Sequence, residues 1–113
     1  MARYTGVFTL AVDVENLLLI LTDILNFCGF EIVYIQGSYL MASEIHGQVI
    51  FSQLVTLDIN VGIVTNTEKI KINLVARNEE IPLKSDNHCR QKFDLLTQSI
   101  IENSNWEFID SII

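Results

Sequence analysis

Apolar residues recur along the chain with two different periods, one typical of strands and the other of helices. From Tyr4 to Val12, alternate residues form two weak faces rich in β-forming types, which predicts a first strand. Asp13 is then a candidate N-cap, and Gly29 is suited to the position just after a helix. Between them, apolar residues follow at three- and four-residue spacing: Val14, Leu17, Leu18, Leu21, Ile24, Leu25 and Cys28.

The residues after this first helix predict a hairpin. A strand is expected over residues 30–36, and Gly37-Ser38 suits a tight two-residue turn because Gly accepts positive φ. Residues 39–45 are then expected to pair back. The side chains expected on one face of the first of these strands are Phe30, Ile32 and Tyr34.

Two further strands complete a predicted meander. After a weaker turn signal at His46-Gly47, apolar residues keep one parity over residues 49–61, which predicts a long strand interrupted only at Gln53. Residues 65–68 form the next turn signal, and residues 70–77 alternate between apolar and polar types except at Val75, which predicts one dry and one wet face. We expect the first strand to join this meander at an edge or between its members.

The last part of the chain predicts a second helix and an apolar tail. Ser85 or Asp86 is expected to cap the helix, which ends near residues 103–105. Its apolar positions are Cys89, Phe93, Leu96 and Ile100. We expect the tail to fold back against the domain or against a partner, because it carries Trp106, Phe108, Ile109, Ile112 and Ile113.

Together these elements, in the order β-α-β-β-β-β-α, predict one α+β domain over residues 1–113. It is expected to contain an antiparallel sheet of about five strands, with the two helices packed on one face of the sheet. The length of 113 residues is typical of a single domain, and a composition of 50% apolar and 19% charged residues excludes intrinsic disorder. Such a composition holds more apolar side chains than a small monomer readily buries. An exposed apolar face is therefore expected.

Charge narrows the choice of partners. A net charge of −7 repels nucleic acids and anionic membranes, so neither is an expected partner. The charge is polarised, since residues 1–68 hold one basic residue, Arg3, and residues 69–92 hold the other six. We interpret this mainly as two solvated faces, and head-to-tail or acidic-partner recognition is the alternative. The start of the chain has no signal-peptide pattern, which predicts a reducing, cytoplasmic setting.

Candidate chemistry is sparse, and we expect no catalytic residue, no cofactor and no metal. His88-Cys89 would favour a thiolate, but the helical parity of Cys89 predicts that its sulfur lies in the core. The soft and imidazole ligands are not spaced as CxxC or HxxxH pairs; they are Cys28, His46, His88 and Cys89. The glycines are isolated, so no phosphate-binding loop is present. A polar cluster over residues 86–91 resembles an anion site, but Asp86 is expected to occupy it.

A non-enzymatic protein–protein interaction module, such as an adaptor, assembly factor or chaperone-like protein, is therefore the first functional hypothesis. Its partner is another protein or a second copy in a homodimer. The candidate interaction surface consists of apolar residues expected on the outer strand face or in the tail: Val33, Ile35, Leu40, Ile50, Leu54, Trp106 and Phe108. The alternative is a small apolar-ligand-binding protein, with a cavity between helices and sheet lined by Phe51, Leu57, Phe93 and Leu18.

Overall fold

The computed structural model describes residues 1–47, 49–63, 69–81 and 87–113. Its regular elements, in chain order, are β1 (Ala2–Ala11), α1 (Val14–Phe27), β2 (Phe30–Gln36), β3 (Tyr39–Glu44), a short 3-10 helix (Phe51–Gln53), β4 (Thr56–Ile63), β5 (Lys69–Asn78), α2 (His88–Glu102) and β6 (Glu107–Ile112).

The strands form one antiparallel sheet in the order β2-β3-β4-β5-β1-β6, and the two helices pack on one of its faces. The predicted α+β class is confirmed. The described sheet has six strands rather than about five, because the apolar tail forms β6 and pairs with β1. β1 therefore joins the meander next to β5, and the tail folds back against the domain.

Helix α1 has the predicted bounds for local reasons. Asp13 is its N-cap, although the Asp13 side chain makes no capping hydrogen bond. Gly29 follows the last turn with φ of +89°, a conformation that favours glycine. The buried side of the helix is the predicted stripe, with Leu17, Leu21, Ile24 and Leu25.

The predicted long strand over residues 49–61 is wrong in its first half. Ser43 pairs with Thr56, so residues 45–55 must connect the two strands and cannot extend β4. The connection contains the His46-Gly47 turn and the 3-10 helix, in which Phe51 is exposed. Parity alone misled the prediction, because an apolar residue in a loop can keep the phase of the following strand by chance.

The expected grouping of Phe30, Ile32 and Tyr34 on one face is also wrong. The register of β2 against β3 shifts between Ile32 and Tyr34, so Val33 has no direct partner in β3. An extra residue of this kind reverses the facing of the residues that follow. Tyr34 therefore pairs with Met41 on the face away from the helices, and Ile35 pairs with Leu40 on the helix side.

Helix α2 begins one residue later than a cap at Asp86 predicts and two later than a cap at Ser85 predicts. Asn87 is its N-cap, and the side-chain oxygen of Asn87 accepts a hydrogen bond from the backbone N–H of Arg90 at 2.7 Å. The predicted caps Ser85 and Asp86, like the predicted turn over residues 65–68, lie outside the described residues. The four predicted apolar positions of α2 are all buried.

The core fills the space between the helices and the inner face of the sheet. Its largest fully buried side chains include Phe8, Leu10, Leu25, Phe30, Leu57, Ile59, Ile72, Leu74, Leu96 and Ile100. Gly6 permits close packing of α2 on β1, because a Cβ at Gly6 would lie 3.0 Å from the Phe8 ring and 3.3 Å from the Phe93 ring. The two layers therefore interlock at β1.

Candidate functional site

An apolar groove lies between the first half of α1 and the turn-end of the β2–β3 hairpin. Its volume is about 290 Å³. We call it the α1 groove, and its lining consists of Val14, Leu17, Leu18, Leu21, Ile35, Gly37, Ser38, Tyr39, Leu40, Val61 and Ile63. The deeper residues belong to the core, whereas Leu18 and Ile35 are 45% and 50% exposed. The groove is therefore open to solvent and lined by large aliphatic side chains.

Local sequence explains why this groove is not filled. Leu18 continues the apolar surface of α1 beyond the stripe that packs on the sheet, because it is one residue after Leu17 and so lies about 100° further around the helix. The opposite wall is low, since the turn residues Gly37 and Ser38 carry little or no side chain. Gly37 has φ of +59°, which the two-residue turn requires.

The charged residues at the α1 end of the groove are acidic, whereas Lys71 of β5 pairs with Gly62, between the lining residues Val61 and Ile63. Asp13 and Glu15 are exposed at the start of α1, next to Val14. The sequence contains no Lys or Arg from residue 4 to residue 68, the stretch that supplies every lining residue. The groove therefore offers apolar contacts beside carboxylates.

The structure does not bring the predicted interaction residues together on one surface. Val33, Ile35 and Ile50 are exposed, and Leu54 is half-buried. Val33 and Ile35 lie on β2, whereas Ile50 and Leu54 lie in the β3–β4 connection, at the opposite end of β3 from the hairpin turn. Of the predicted set, only Ile35 and Leu40 line the α1 groove.

Leu40 and Trp106 of that predicted set belong to the interior, and Phe108 is partly buried. Leu40 is 4% exposed, because its parity places it on the helix side of the sheet. Trp106 is 7% exposed, and its indole Nε1 donates a hydrogen bond to the backbone oxygen of Ile100 at 2.8 Å. Phe108 pairs with Leu10 and packs against the core. The expectation that they present apolar surface is corrected by these contacts.

The structure places an apolar opening beside α1, and not at the residues that the sequence predicts to line a cavity. Leu57 and Phe93 are packed core residues with almost no exposed surface, and Phe51 is exposed in the 3-10 helix. Of the four residues expected to line a cavity, only Leu18 lines the α1 groove. The space between α2 and the sheet is occupied by side chains, so the opening lies beside α1 instead.

A buried polar cluster joins β3 to both helices. Glu44, 2% exposed, lies at the end of β3, and its carboxylate oxygens are 2.8 and 2.9 Å from Nε2 of His88. Its Oε1 accepts the backbone N–H of Val55, and its Oε2 is 4.0 Å from Nζ of Lys92. Lys92 also donates to the backbone oxygen of Cys28, at the end of α1. The cluster ties these elements together through charge-assisted hydrogen bonds.

The start of α2 is occupied by a side chain of the protein itself. The carboxylate of Glu80 accepts the backbone N–H groups of His88 and Cys89 at 3.1 and 2.9 Å, and Asn78 donates to the same carboxylate at 2.5 Å. Burial alone would raise the pKa of Glu80, but these hydrogen bonds and the His88 charge hold it below its ordinary value. Glu80 thus fills the position where an anion would bind, a role that we expected of Asp86.

Both cysteines are free and buried. Burial, followed by the negative charges of Glu80 and Glu44, raises the pKa of the Cys89 thiol to about 12. Burial also raises the pKa of Cys28, whose sulfur lies 3.6 Å from the hydroxyl oxygen of Ser99. Across the described ranges, no group of three or more His, Cys, Asp or Glu residues is arranged to hold a metal ion.

The sheet face opposite the helices carries a second polar cluster that the sequence analysis missed. The hydroxyl of Tyr39 donates to Asp58 at 2.5 Å, and Nε of Arg77 donates to the other carboxylate oxygen at 2.9 Å. Burial tends to raise the pKa of Asp58, but the two hydrogen bonds and the Arg77 charge lower it overall. The hydrogen bond to Asp58 raises the pKa of Tyr39. Hydrogen bonds between side chains of β3, β4 and β5 therefore stabilise this face.

Comparison with known proteins adds no family. No protein-family model matches the chain, and no curated protein matches it. Among the described helices, none is long and apolar enough to cross a membrane.

Proposed function

We propose that this protein is a non-enzymatic protein–protein interaction module that binds its partner through the α1 groove. The observation that carries the proposal is the groove itself, about 290 Å³ with large aliphatic side chains half exposed at its rim. Burying such side chains on binding contributes about 25 cal/mol per Å² of apolar surface. Adaptor, assembly-factor and chaperone-like roles all use surfaces of this kind.

The chemistry of the groove suits an apolar protein segment flanked by basic residues. Asp13 and Glu15 stand beside Val14 at one end of the groove, and they would repel an acidic partner. The net charge of −7 supports a protein rather than a nucleic acid or an anionic membrane as the partner. Two free, buried cysteines support a reducing, cytoplasmic setting for this interaction.

Cys89 and His88 are the strongest candidates for a nucleophile and a base, and both are held in contacts within the protein, which supports a non-enzymatic role. A thiol with a pKa of about 12 is almost entirely protonated at neutral pH, so Cys89 is a poor nucleophile. The Nε2 atom of His88 is occupied by Glu44, and the side chain of His88 is only 15% exposed. Neither residue lines the α1 groove.

A second candidate function is the binding of a small apolar ligand in the same groove. The volume of about 290 Å³ is near the lower end of the range for small-molecule sites, and the lining is mostly aliphatic. Native mass spectrometry of the purified protein distinguishes the two functions. A stoichiometric co-purified small molecule, lost in the Leu18→Ser variant, would favour the ligand-binding function.

Site-specific photo-crosslinking in the native host tests the interaction. A photoreactive amino acid at Leu18 should form a discrete crosslinked species with a protein partner, because Leu18 is at the groove rim. The control places the same amino acid at Asn73, an exposed position on the opposite face of the sheet. Equal crosslinking from the two positions, or none from Leu18, would contradict the proposal.

A further inference from the structure

The backbone groups of Ile35 face an open edge of the sheet. β2 is an edge strand, so one side of it has no neighbour within the described sheet. The backbone N–H of Val61 in β4 donates to the backbone oxygen of Ser38 at 2.9 Å, so the groups of Leu40, two residues further along, also point towards β4. Ile35 is opposite Leu40 in the register of β2 and β3, and its own N–H and C=O therefore point away from β3, to the open side.

The side chain of Ile35 lines the α1 groove, directly beside those backbone groups. Ile35 is 50% exposed, and Leu18 of α1 lines the groove from the other side. One residue therefore offers both a donor and an acceptor without a partner in the sheet and part of an apolar lining. Backbone pairing at a sheet edge, with side-chain pockets beside it, is how proteins bind a peptide as an added strand.

The register shift in β2 limits how far such pairing extends. Val33 is an extra residue between Ile32 and Tyr34, so the edge positions on its two sides are out of phase. The regular part of the edge beside the groove is residues 34–36, which span about 10 Å at about 3.3 Å per residue. The part of α1 that lines the groove, residues 14–21, is also about 10 Å long at about 1.5 Å per residue. The site therefore suits a short extended segment.

Charge selects the chemistry of that segment. Glu15 is exposed on α1, one turn before Leu18, so its carboxylate borders the groove rim. Lys71 of β5 does not oppose this charge from the same side of the sheet. It alternates with the buried Ile70 and Ile72 and is exposed on the face away from the helices. A Lys or Arg next to the apolar residues of a bound segment is therefore complementary to the rim.

We propose that the β2 edge and the α1 groove form one site, which binds an extended, basic-flanked segment of another protein as an added strand. The segment exchanges backbone hydrogen bonds with Ile35, places a large apolar side chain in the groove, and directs a Lys or Arg to Glu15. This inference rests on the proposed function and specifies the conformation and chemistry of the partner segment. So short a contact is typical of weak, transient complexes.

Selection from a multivalent phage library of random peptides tests the chemistry of the segment. Peptides of about twelve residues are selected on the protein and counter-selected on its Leu18→Ser variant. Enriched peptides should carry alternating apolar residues, because alternate side chains of a strand share a face, with Lys or Arg beside them. A synthetic copy of an enriched peptide should bind the Glu15→Lys variant at least about fivefold more weakly. The Glu107→Lys variant, altered at an exposed position of β6, should bind it as the unsubstituted protein does.

Amide hydrogen exchange, measured by NMR, reports the added strand directly. In the free protein the Ile35 amide should exchange fast, whereas the Gln36 amide is protected by pairing with Tyr39. A near-saturating concentration of the selected peptide should slow exchange at Ile35 by about tenfold or more, and leave the β6 amides unchanged. N-methylation of the peptide should weaken binding strongly at alternate positions only, because alternate amides of a strand face its neighbour.

Several results would overturn strand addition. They are no enrichment over the Leu18→Ser variant, enriched apolar residues at three- and four-residue spacing, an Ile35 amide that peptide does not protect, and Ile35 protection that rises with protein concentration alone, which would mean that a second copy occupies the site. If one of these occurs while Leu18 still crosslinks to another protein, the proposed function stands and only the extended segment fails. If a peptide protects Ile35 but Leu18 crosslinks to nothing in the host, the strand site stands and the interaction role fails instead.

Discussion

Nε2 of His88 lies 2.8 Å from Oε2 of Glu44, although the two residues are 44 positions apart in the chain. The carboxylate is almost completely buried, so its charge is stabilised by His88, Lys92 and the backbone N–H of Val55 rather than by water. The pair fixes the first turn of α2 against the end of β3. It therefore connects the second helix to the half of the sheet covered by the first.

Replacement of Glu44 should destabilise the fold strongly. Glu44→Ala leaves His88, Lys92 and the Val55 N–H without their acceptor, and removing one partner of a buried ionic group typically costs about 3–5 kcal/mol. Because His88 and Lys92 retain some exposure, we expect about 3 kcal/mol in chemical denaturation. His88→Gln keeps a donor and should lose only about 1 kcal/mol. A Glu44→Ala loss no larger than that of Glu102→Ala, an exposed carboxylate, would contradict this role.

The Glu80 cap should make stability depend on pH in the acidic range. The folded-state pKa of Glu80 lies below its ordinary value of 4.5. Its stabilisation is therefore complete above about pH 4.5, and is lost as the pH falls through the depressed folded-state pKa. Glu80→Gln should lower the free energy of unfolding by about 1 kcal/mol at pH 7, with the deficit shrinking below pH 4.5. Glu79→Gln, its exposed neighbour, is the control, and an equal effect of both variants would argue against capping.

The two helix stripes should be equally sensitive to truncation. Leu21→Ala and Phe93→Ala each remove a side chain at most 2% exposed, and each should cost about 2–5 kcal/mol. Thermal melts should show the midpoint falling by well over 5 °C for each variant. Leu19→Ala, on an exposed position of α1, should change the midpoint by far less. A small shift in either core variant would mean that its site collapses around the missing atoms.

Cys89 should be chemically inert in the folded protein. Its thiol is buried, and its pKa of about 12 leaves very little thiolate at neutral pH. A water-soluble alkylating reagent should therefore modify Cys89 far more slowly in the native protein than in denaturant, as followed by peptide mass spectrometry. Labelling of Cys89 as fast as in denaturant would reopen a catalytic hypothesis.

Strongly periodic segments were predictable because each period of apolar residues fits only one type of secondary structure. The stripe of α1 matches only a helix, and the strict alternation from Lys69 to Leu74 matches only a half-buried strand. Weaker patterns misled where a local backbone feature intervened. The register shift at Val33 placed Tyr34 on the other face of the sheet. The loop before Thr56 was predicted as strand because its apolar residues keep the parity of β4.

The candidate site was less predictable than the fold, because a groove forms where neighbouring elements leave space between them, and that space depends on their relative placement. The widened apolar surface of α1 at Leu18 was visible in the sequence, but the low wall at Gly37 and Ser38 appears only when hairpin and helix are placed together. Glu44 gave a usable signal, since it keeps the parity of Leu40 and Ala42 and is buried with them. A carboxylate in phase with a dry strand face predicts a buried cation partner.

The position of β1 between β5 and β6 has a consequence for synthesis on the ribosome. β1 is the first strand to emerge, yet the strands it pairs with begin only at Lys69 and Glu107. Because synthesis adds roughly 5–20 residues per second, β1 stays unpaired for a time on the order of seconds after it is made. Such long-range pairing gives slow, late folding, so the nascent chain exposes Phe8 and Leu10 to chaperones until its last strands are made.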